Sequence, residues 1–250
     1  MRHHKTQGII LESRDLNEFD QRVVLITPDE GKIQAIAPHA KRSQKRFSGG
    51  LQPLTHIQVS YTLKSQAAWI RLEEVDILNA YLPLKNDLTK MSCASYFVEM
   101  VSHVMSEEKE YASLFHLLCS YLDALEKSQH ERLLCRLFEA KLLPQIGYRP
   151  ILDRCTKCQT PHLSMESSIF FSFEAGGLLC SRCCERDEKV GKMISKKVIL
   201  YLEQMISNSK ILKPDEMLGK ELHAFLPHFL FYHLGKRLNS YDFMEQVVAW

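Results

Sequence analysis

What the chain lacks narrows its class before any motif is read. No run approaches the ~18 apolar residues of a membrane-spanning helix. Met1-Arg-His-His-Lys is followed by no apolar stretch of signal-peptide length. A soluble protein of the reducing cytoplasm is therefore expected, with its thiols unpaired. The sequence contains no G-x-x-x-x-G-K-[S/T] phosphate loop, no dinucleotide fingerprint and no G-x-S-x-G elbow. It also offers no aspartate pair suited to a two-metal nuclease site. A binding protein is expected rather than an enzyme. No internal repeat or low-complexity segment breaks the 250 residues, which are enough for one or two domains with real cores.

The most informative absence is of one sign of charge. No Asp or Glu occurs between Glu30 and Glu73, whereas Lys32, Lys41, Arg42, Lys45, Arg46, Lys64 and Arg71 all fall there. The whole chain is nearly balanced at +2, so this local field is the footprint of a polyanionic partner.

Hydrophobic periodicity divides the chain in two. Up to residue 82 it reads as short strands: Gly8–Leu11, Gln21–Thr27, Lys32–Ala37, His56–Leu63, Ala67–Leu72 and Val75–Leu82. In His56–Leu63, Ile57, Val59, Tyr61 and Leu63 alternate strictly with polar residues, the pattern of a strand with one buried face. Five or six such strands without an intervening helix predict a small antiparallel barrel of OB type. From residue 83 the period becomes helical. Cys93, Tyr96, Phe97, Met100 and Val101 form one apolar stripe, Leu114, Phe115, Leu118, Leu122 and Leu125 a second, and Leu133, Leu134, Leu137 and Phe138 a third. Ser195 is a predicted helix N-cap, and Pro227 should split a last helical stretch over 218–238. Cys93, Cys119 and Cys135 are isolated within apolar stripes and are expected in the core. The fold class expected is α+β, with an OB-type domain over 1–82 and a mainly helical domain over 83–250.

The helical half is interrupted at about 153–186. Cys155-Thr-Lys-Cys158 is followed, after twenty-one residues, by Cys180-Ser-Arg-Cys183-Cys184. Each C-x-x-C pair places two thiolates on one tight turn, and four thiolates complete the tetrahedral shell that Zn²⁺ prefers. Ile169–Phe173 reads as a strand and Gly176-Gly177 as a turn, giving a zinc-ribbon-like insertion. A closed sulfur shell leaves no open position, so the metal is expected to be structural. Disulfides conflict with a reducing compartment, a redox C-x-x-C with the lack of a βαβ context, and free buried thiols with the spacing. The fourth ligand is either Cys183 or Cys184, with spacing favouring Cys183.

Between the third and fourth strands, Pro38–Gly50 carries Lys41, Arg42, Lys45 and Arg46 with Phe47 and two glycines. It is expected to be a mobile surface loop whose cations neutralise phosphates and release counterions. Phe47 is either a platform on which bases stack or an anchor in the core.

Several runs together resemble a known family. They are Thr6-Gln-Gly-Ile-Ile-Leu11, Phe47-Ser-Gly-Gly-Leu-Gln-Pro-Leu54, Leu142-Leu-Pro-Gln-Ile-Gly-Tyr-Arg-Pro150, Leu152-Asp-Arg-Cys-Thr-Lys-Cys158, Phe171-Ser-Phe-Glu-Ala-Gly-Gly-Leu-Leu-Cys180 and Tyr232-His-Leu-Gly-Lys-Arg237. In order and spacing they resemble the RecO family of bacterial recombination mediators along essentially the whole chain. The resemblance implies an N-terminal OB-fold, a helical domain with a zinc centre on Cys155, Cys158, Cys180 and Cys183, and a DNA-binding face that includes the basic loop. It further implies a place in RecF-pathway DNA repair, in a cytoplasmic protein associated with the nucleoid. The implied activities are binding of single- and double-stranded DNA and annealing of complementary strands. The implied partners are RecR and single-strand binding protein and, indirectly, RecA, which such proteins help to load. Two other readings share the same parts: an RNA- or ribosome-associated binding protein, and a zinc-stabilised nuclease.

Overall fold

A computed structural model of the chain describes residues 2–63, 70–105, 112–166, 168–184, 190–208 and 216–248. The chain forms two compact units, Met1–Lys127 and Ser128–Trp250.

In the first unit β1 (Arg2–Asp15), β2 (Gln21–Thr27), β3 (Gly31–Ala37), β4 (His56–Leu63) and β5 (Ile70–Asn79) close into a barrel in the order β1-β2-β3-β5-β4. β1 closes it by pairing twice. Arg2–Ile9 lie against β4 and Ile9–Asp15 against β2, with a register shift between Ile10 and Glu12. β3 and β5 run parallel and the other pairs antiparallel, which is the connectivity of a five-stranded OB barrel. β1 starts well before the expected Gly8 because its polar first half has a full partner in β4. Leu72 and Val75, expected on separate strands, belong to β5. A register shift opposite Ser60 and Tyr61 accommodates Glu73 without ending the pairing. Ala67–Trp69 lie outside the described residues.

Alternation fixes what fills the barrel. Along β3 every second residue is buried, so Ile33, Ala35 and Ala37 face inward and join Ile10, Val23, Leu25, Ile57, Val59, Tyr61, Leu72 and Val75 in one core. α1 (Gln44–Phe47) follows β3, and Phe47 and Leu51 enter the same core. α2 (Leu82–Lys85), α3 (Leu88–Val104) and α4 (Ala112–Lys127) complete the unit. Asp87 caps α3 by accepting from the Lys90 N–H. The α3 and α4 stripes pack together, with the Phe97 and Tyr121 rings edge-on at 6.2 Å.

In the second unit α5 (Glu131–Gln145) packs against α6 (Lys196–Ser207), α7 (Glu216–His223) and α8 (Leu226–Leu234). Ser195 caps α6 by accepting from the Val198 N–H. Pro227 sits in the first turn of α8, so the expected stretch over 218–238 is two helices. α9 (Asn239–Val247) was not foreseen from periodicity; Arg132 on α5 holds it by donating to the Glu245 carboxylate and the Val248 carbonyl. Arg136 and Glu139, one turn apart on α5, form a fully buried ion pair at 2.9 Å. Between α5 and α6 lies a sheet of β6 (Ile151–Cys155), β7 (Ser168–Ser172), β8 (Gly177–Leu179) and β9 (Gly191–Ser195), ordered β6-β8-β7-β9. Its Gly-Gly turn is chemically specified. Gly176 has φ +65°, and a Cβ on Gly177 would stand 2.5 Å from the Ile151 carbonyl oxygen. Among the described residues no helix is long and apolar enough to cross a membrane.

Candidate functional site

Two sites were expected, a cysteine cluster and a basic face, and the fold treats them differently. β6 ends at Cys155 and β8 ends one residue before Cys180, and the two strands run parallel with Cys155 opposite Leu178. That pairing brings the two C-x-x-C turns together. Each turn closes on itself, Gln159 N–H donating to the Cys155 carbonyl and Cys183 N–H to the Cys180 carbonyl. The sulfurs of Cys155, Cys158, Cys180 and Cys183 all lie within 4.8 Å of one another. Cys158 and Cys180 are 3.5 Å apart. A tetrahedral centre with Zn–S bonds of about 2.3 Å spaces its sulfurs by roughly 3.8 Å, so the cluster has the size of a metal site. Cys183 is the fourth member. Cys184 lies outside the group and lines a cleft of about 120 Å³ with Met165, Ile169, Phe170 and Met193.

The protonation chemistry fits the same conclusion. Thr160, through its hydroxyl and its N–H, lowers the Cys158 thiol to about 6. Burial acts to raise the Cys155 thiol, but N–H groups of Cys158, Cys180 and Lys157 outweigh it and the thiol is lowered. The Cys183 thiol is pushed up to about 12 because it shares its proton with Cys158 and Cys180. Some sulfurs are disposed to ionise, but four negative charges so close need a cation among them. A divalent metal held by the four sulfurs would supply it. Of the flanking cations, Lys157 donates to the Cys183 carbonyl and Arg154 pairs with Asp153.

The basic face is assembled at one end of the barrel. The β1–β2 turn, Leu16–Asp20, and the segment after β3 are bound into a single frame. Asn17 Oδ1 accepts from the N–H groups of Phe19 and Asp20. Asp20 accepts from the His39 N–H, and the Phe19 carbonyl from the Lys41 N–H. The Asp20 carboxyl is held below its ordinary range chiefly by the His39 N–H, with the Asn17 side chain next. The carboxylate is thus a structural acceptor. On this frame the Arg42 guanidinium lies 3.8 Å over the Phe19 ring, Lys41 reaches Asp15 at 2.7 Å and Lys45 is exposed. Arg71, opposite Ile36 on β5, is close enough to contribute to lowering Asp20.

The seven expected cations are therefore not one patch. Lys41, Arg42, Lys45 and Arg71 are presented on the outside of the barrel. Arg46 turns back and donates to the Pro38 carbonyl and the Ser43 hydroxyl, so it braces the segment. Lys32 lies at the opposite end of β3, about 17 Å away along the strand, where it donates to the Ser102 carbonyl. Lys64 lies outside the described residues. The segment after β3 is not a loose loop, because α1 and Phe47 tether it to the barrel. Phe47 is 2% exposed within the core, which makes it an anchor. The residues missed from sequence were Asn17, Phe19 and Asp20. Their one signal was an Asn two residues before an aromatic in a short turn.

Comparison with known proteins decides the family. The model for the N-terminal part of recombination protein O matches residues 1–81, and that for its C-terminal part matches residues 85–242. The chain belongs to the RecO family. Membership gives it a general role in recombination during DNA repair. Proteins named DNA repair protein RecO resemble it over nearly their full lengths. The one from Syntrophus aciditrophicus is 30% identical over 98% of this chain and 96% of its own. That from Pelobacter propionicus is 30% identical over 99% and 98%, and that from Anaeromyxobacter sp. strain K 29% over 97% and 96%.

Proposed function

We propose that this RecO-family protein is a recombination mediator that binds single- and double-stranded DNA at the basic barrel end and anneals complementary strands. The observation that carries the reading is the presentation of Lys41, Arg42, Lys45 and Arg71 on one end of an OB barrel. Two nucleic-acid strands repel each other. A basic surface that holds both lowers that cost and raises their local concentration, and no covalent step is needed. The protein acts in this reading as a binding protein of the cytoplasm, associated with the nucleoid. With RecR it helps RecA load onto DNA covered by single-strand binding protein. Its four cysteines hold one structural Zn²⁺, whose closed sulfur shell fixes the sheet and leaves no place for substrate.

The test is annealing of two complementary oligonucleotides coated with single-strand binding protein, with this protein titrated at several salt concentrations. Salt-sensitive acceleration with intact strands is expected. Binding without acceleration would reject the mediator reading, and strand cleavage would reject the non-enzymatic one.

A further inference from the structure

The barrel end holds a group that charge alone does not require. Phe19 is half-buried in a tight surface turn, beside the exposed and apolar Leu16, and the Arg42 guanidinium lies 3.8 Å over its ring. The hydrogen bonds that Asn17 and Asp20 make with the Phe19, Asp20 and His39 N–H groups fix the turn. A further bond, from the Lys41 N–H to the Phe19 carbonyl, ties the segment carrying Arg42 to the segment carrying Phe19. A guanidinium free in solution samples many orientations. One laid on an aromatic ring is held in place, with its outer side available to another flat group.

We infer that Arg42 and Phe19 form a stacking subsite for an unpaired nucleobase, with Arg42 as the contact residue and Phe19 positioning it. This rests on the DNA-binding reading above and goes further, because it assigns a preference for strand form. A base in a single strand can leave its neighbours and lie on a guanidinium plane, whereas bases inside a duplex are already stacked and cannot. Lys41, Lys45 and Arg71 would meet phosphates of either form, while the Arg42–Phe19 stack serves the single strand alone. The position sequence reading singled out for stacking, Phe47, is closed in the core. The Arg46 guanidinium also lies over the Phe47 ring, at 5.0 Å, but that pair faces inward, with Phe47 in the core and Arg46 donating to the Pro38 carbonyl.

Two variants of the full chain separate stacking from charge. Arg42→Lys keeps the cation and loses the planar group. Phe19→Leu keeps apolar bulk and loses the ring; its thermal melt should overlay that of the parent. Binding is measured with a fluorescent oligo-dT strand and a duplex of equal length at several salt concentrations. Each variant should lose roughly five- to a hundred-fold in single-strand affinity, keep the slope of log K against log salt, and bind duplex within about twofold of the parent. A 2-aminopurine placed in the single strand should lose its fluorescence on binding the parent and keep it with either variant. Equal losses on both strand forms, or no loss on either, would overturn the subsite. The DNA-binding reading would survive that result, since it fails only if removing Lys41, Lys45 and Arg71 leaves the salt slope unchanged.

Discussion

The cysteine cluster and the basic barrel end are both assembled from segments distant in the chain, yet they reach the surface differently. In the cluster each half is complete in its own turn, and the parallel pairing of β6 with β8 has only to bring two finished halves together. At the barrel end no half is complete. Arg42 is given its place by Phe19, His39 by Asp20 and Lys41 by Asp15, across three strands and two connections. A site made of self-contained turns keeps its chemistry under local change, whereas a site made of cross-braces depends on the barrel being closed. The largest effects are therefore expected at the cluster, and the most specific ones at the barrel end.

The largest should follow loss of the metal proposed for the cluster. Cys180→Ser, or a strong chelator, is expected to empty the site and unfold the sheet of the second unit, since structural Zn²⁺ binding is worth on the order of 10 kcal/mol. Metal analysis with circular dichroism and calorimetry checks this. The expected result is a lost transition for residues 128–250 with the barrel transition kept; full stability without metal would remove the structural role.

Next comes the anchor of the basic segment. Phe47→Ala should cost about 3–5 kcal/mol, because it empties a closed position in the barrel core. Chemical denaturation measures it. A cost below about 1 kcal/mol would mean that the segment is not held by its aromatic.

The smallest effect is one of pH. Burial lowers the His56 imidazole, opposed by the Asp123 charge, and its ring packs edge-on to Phe115 at 5.8 Å. The unfolded chain takes up a proton near pH 6.5 that the folded one resists. This part of the stability is thus complete above about pH 6.5 and is lost as the pH falls below it. His56→Gln should flatten the decline between pH 6.5 and 5 in the barrel transition. An unchanged slope would assign the acid sensitivity elsewhere.

How much of this was legible follows from the distance over which each signal acts. The C-x-x-C pairs, the alternation in His56–Leu63 and the stripes of α3, α4 and α5 are local periodicities, and each reads directly as an element. The choice of Cys183 over Cys184 was only suggested by spacing and needed the turn geometry. α9 is short, with Tyr241 and Met244 as its buried side chains, and is tied down by Arg132 from α5, a contact that no window along the chain contains. The acid-free segment was visible as a charge count, but a count cannot tell which end of a strand a cation occupies. Seven residues of β3 carry Lys32 to the opposite end from Lys41. Phe19 escaped notice because its partner Arg42 is a neighbour only once β2 has paired with β3.

The most direct test of the account uses that separation. Single-strand binding is measured across salt for Lys41→Ala/Arg42→Ala/Lys45→Ala/Arg71→Ala and, separately, for Lys32→Ala. Each phosphate contact removed should reduce the slope of log K against log salt by about 0.7. The fourfold variant should therefore lose most of its slope, while Lys32→Ala keeps the slope of the parent. Equal loss in the two proteins, or an unchanged slope in the fourfold variant, would contradict the placement of the DNA face at this end of the barrel.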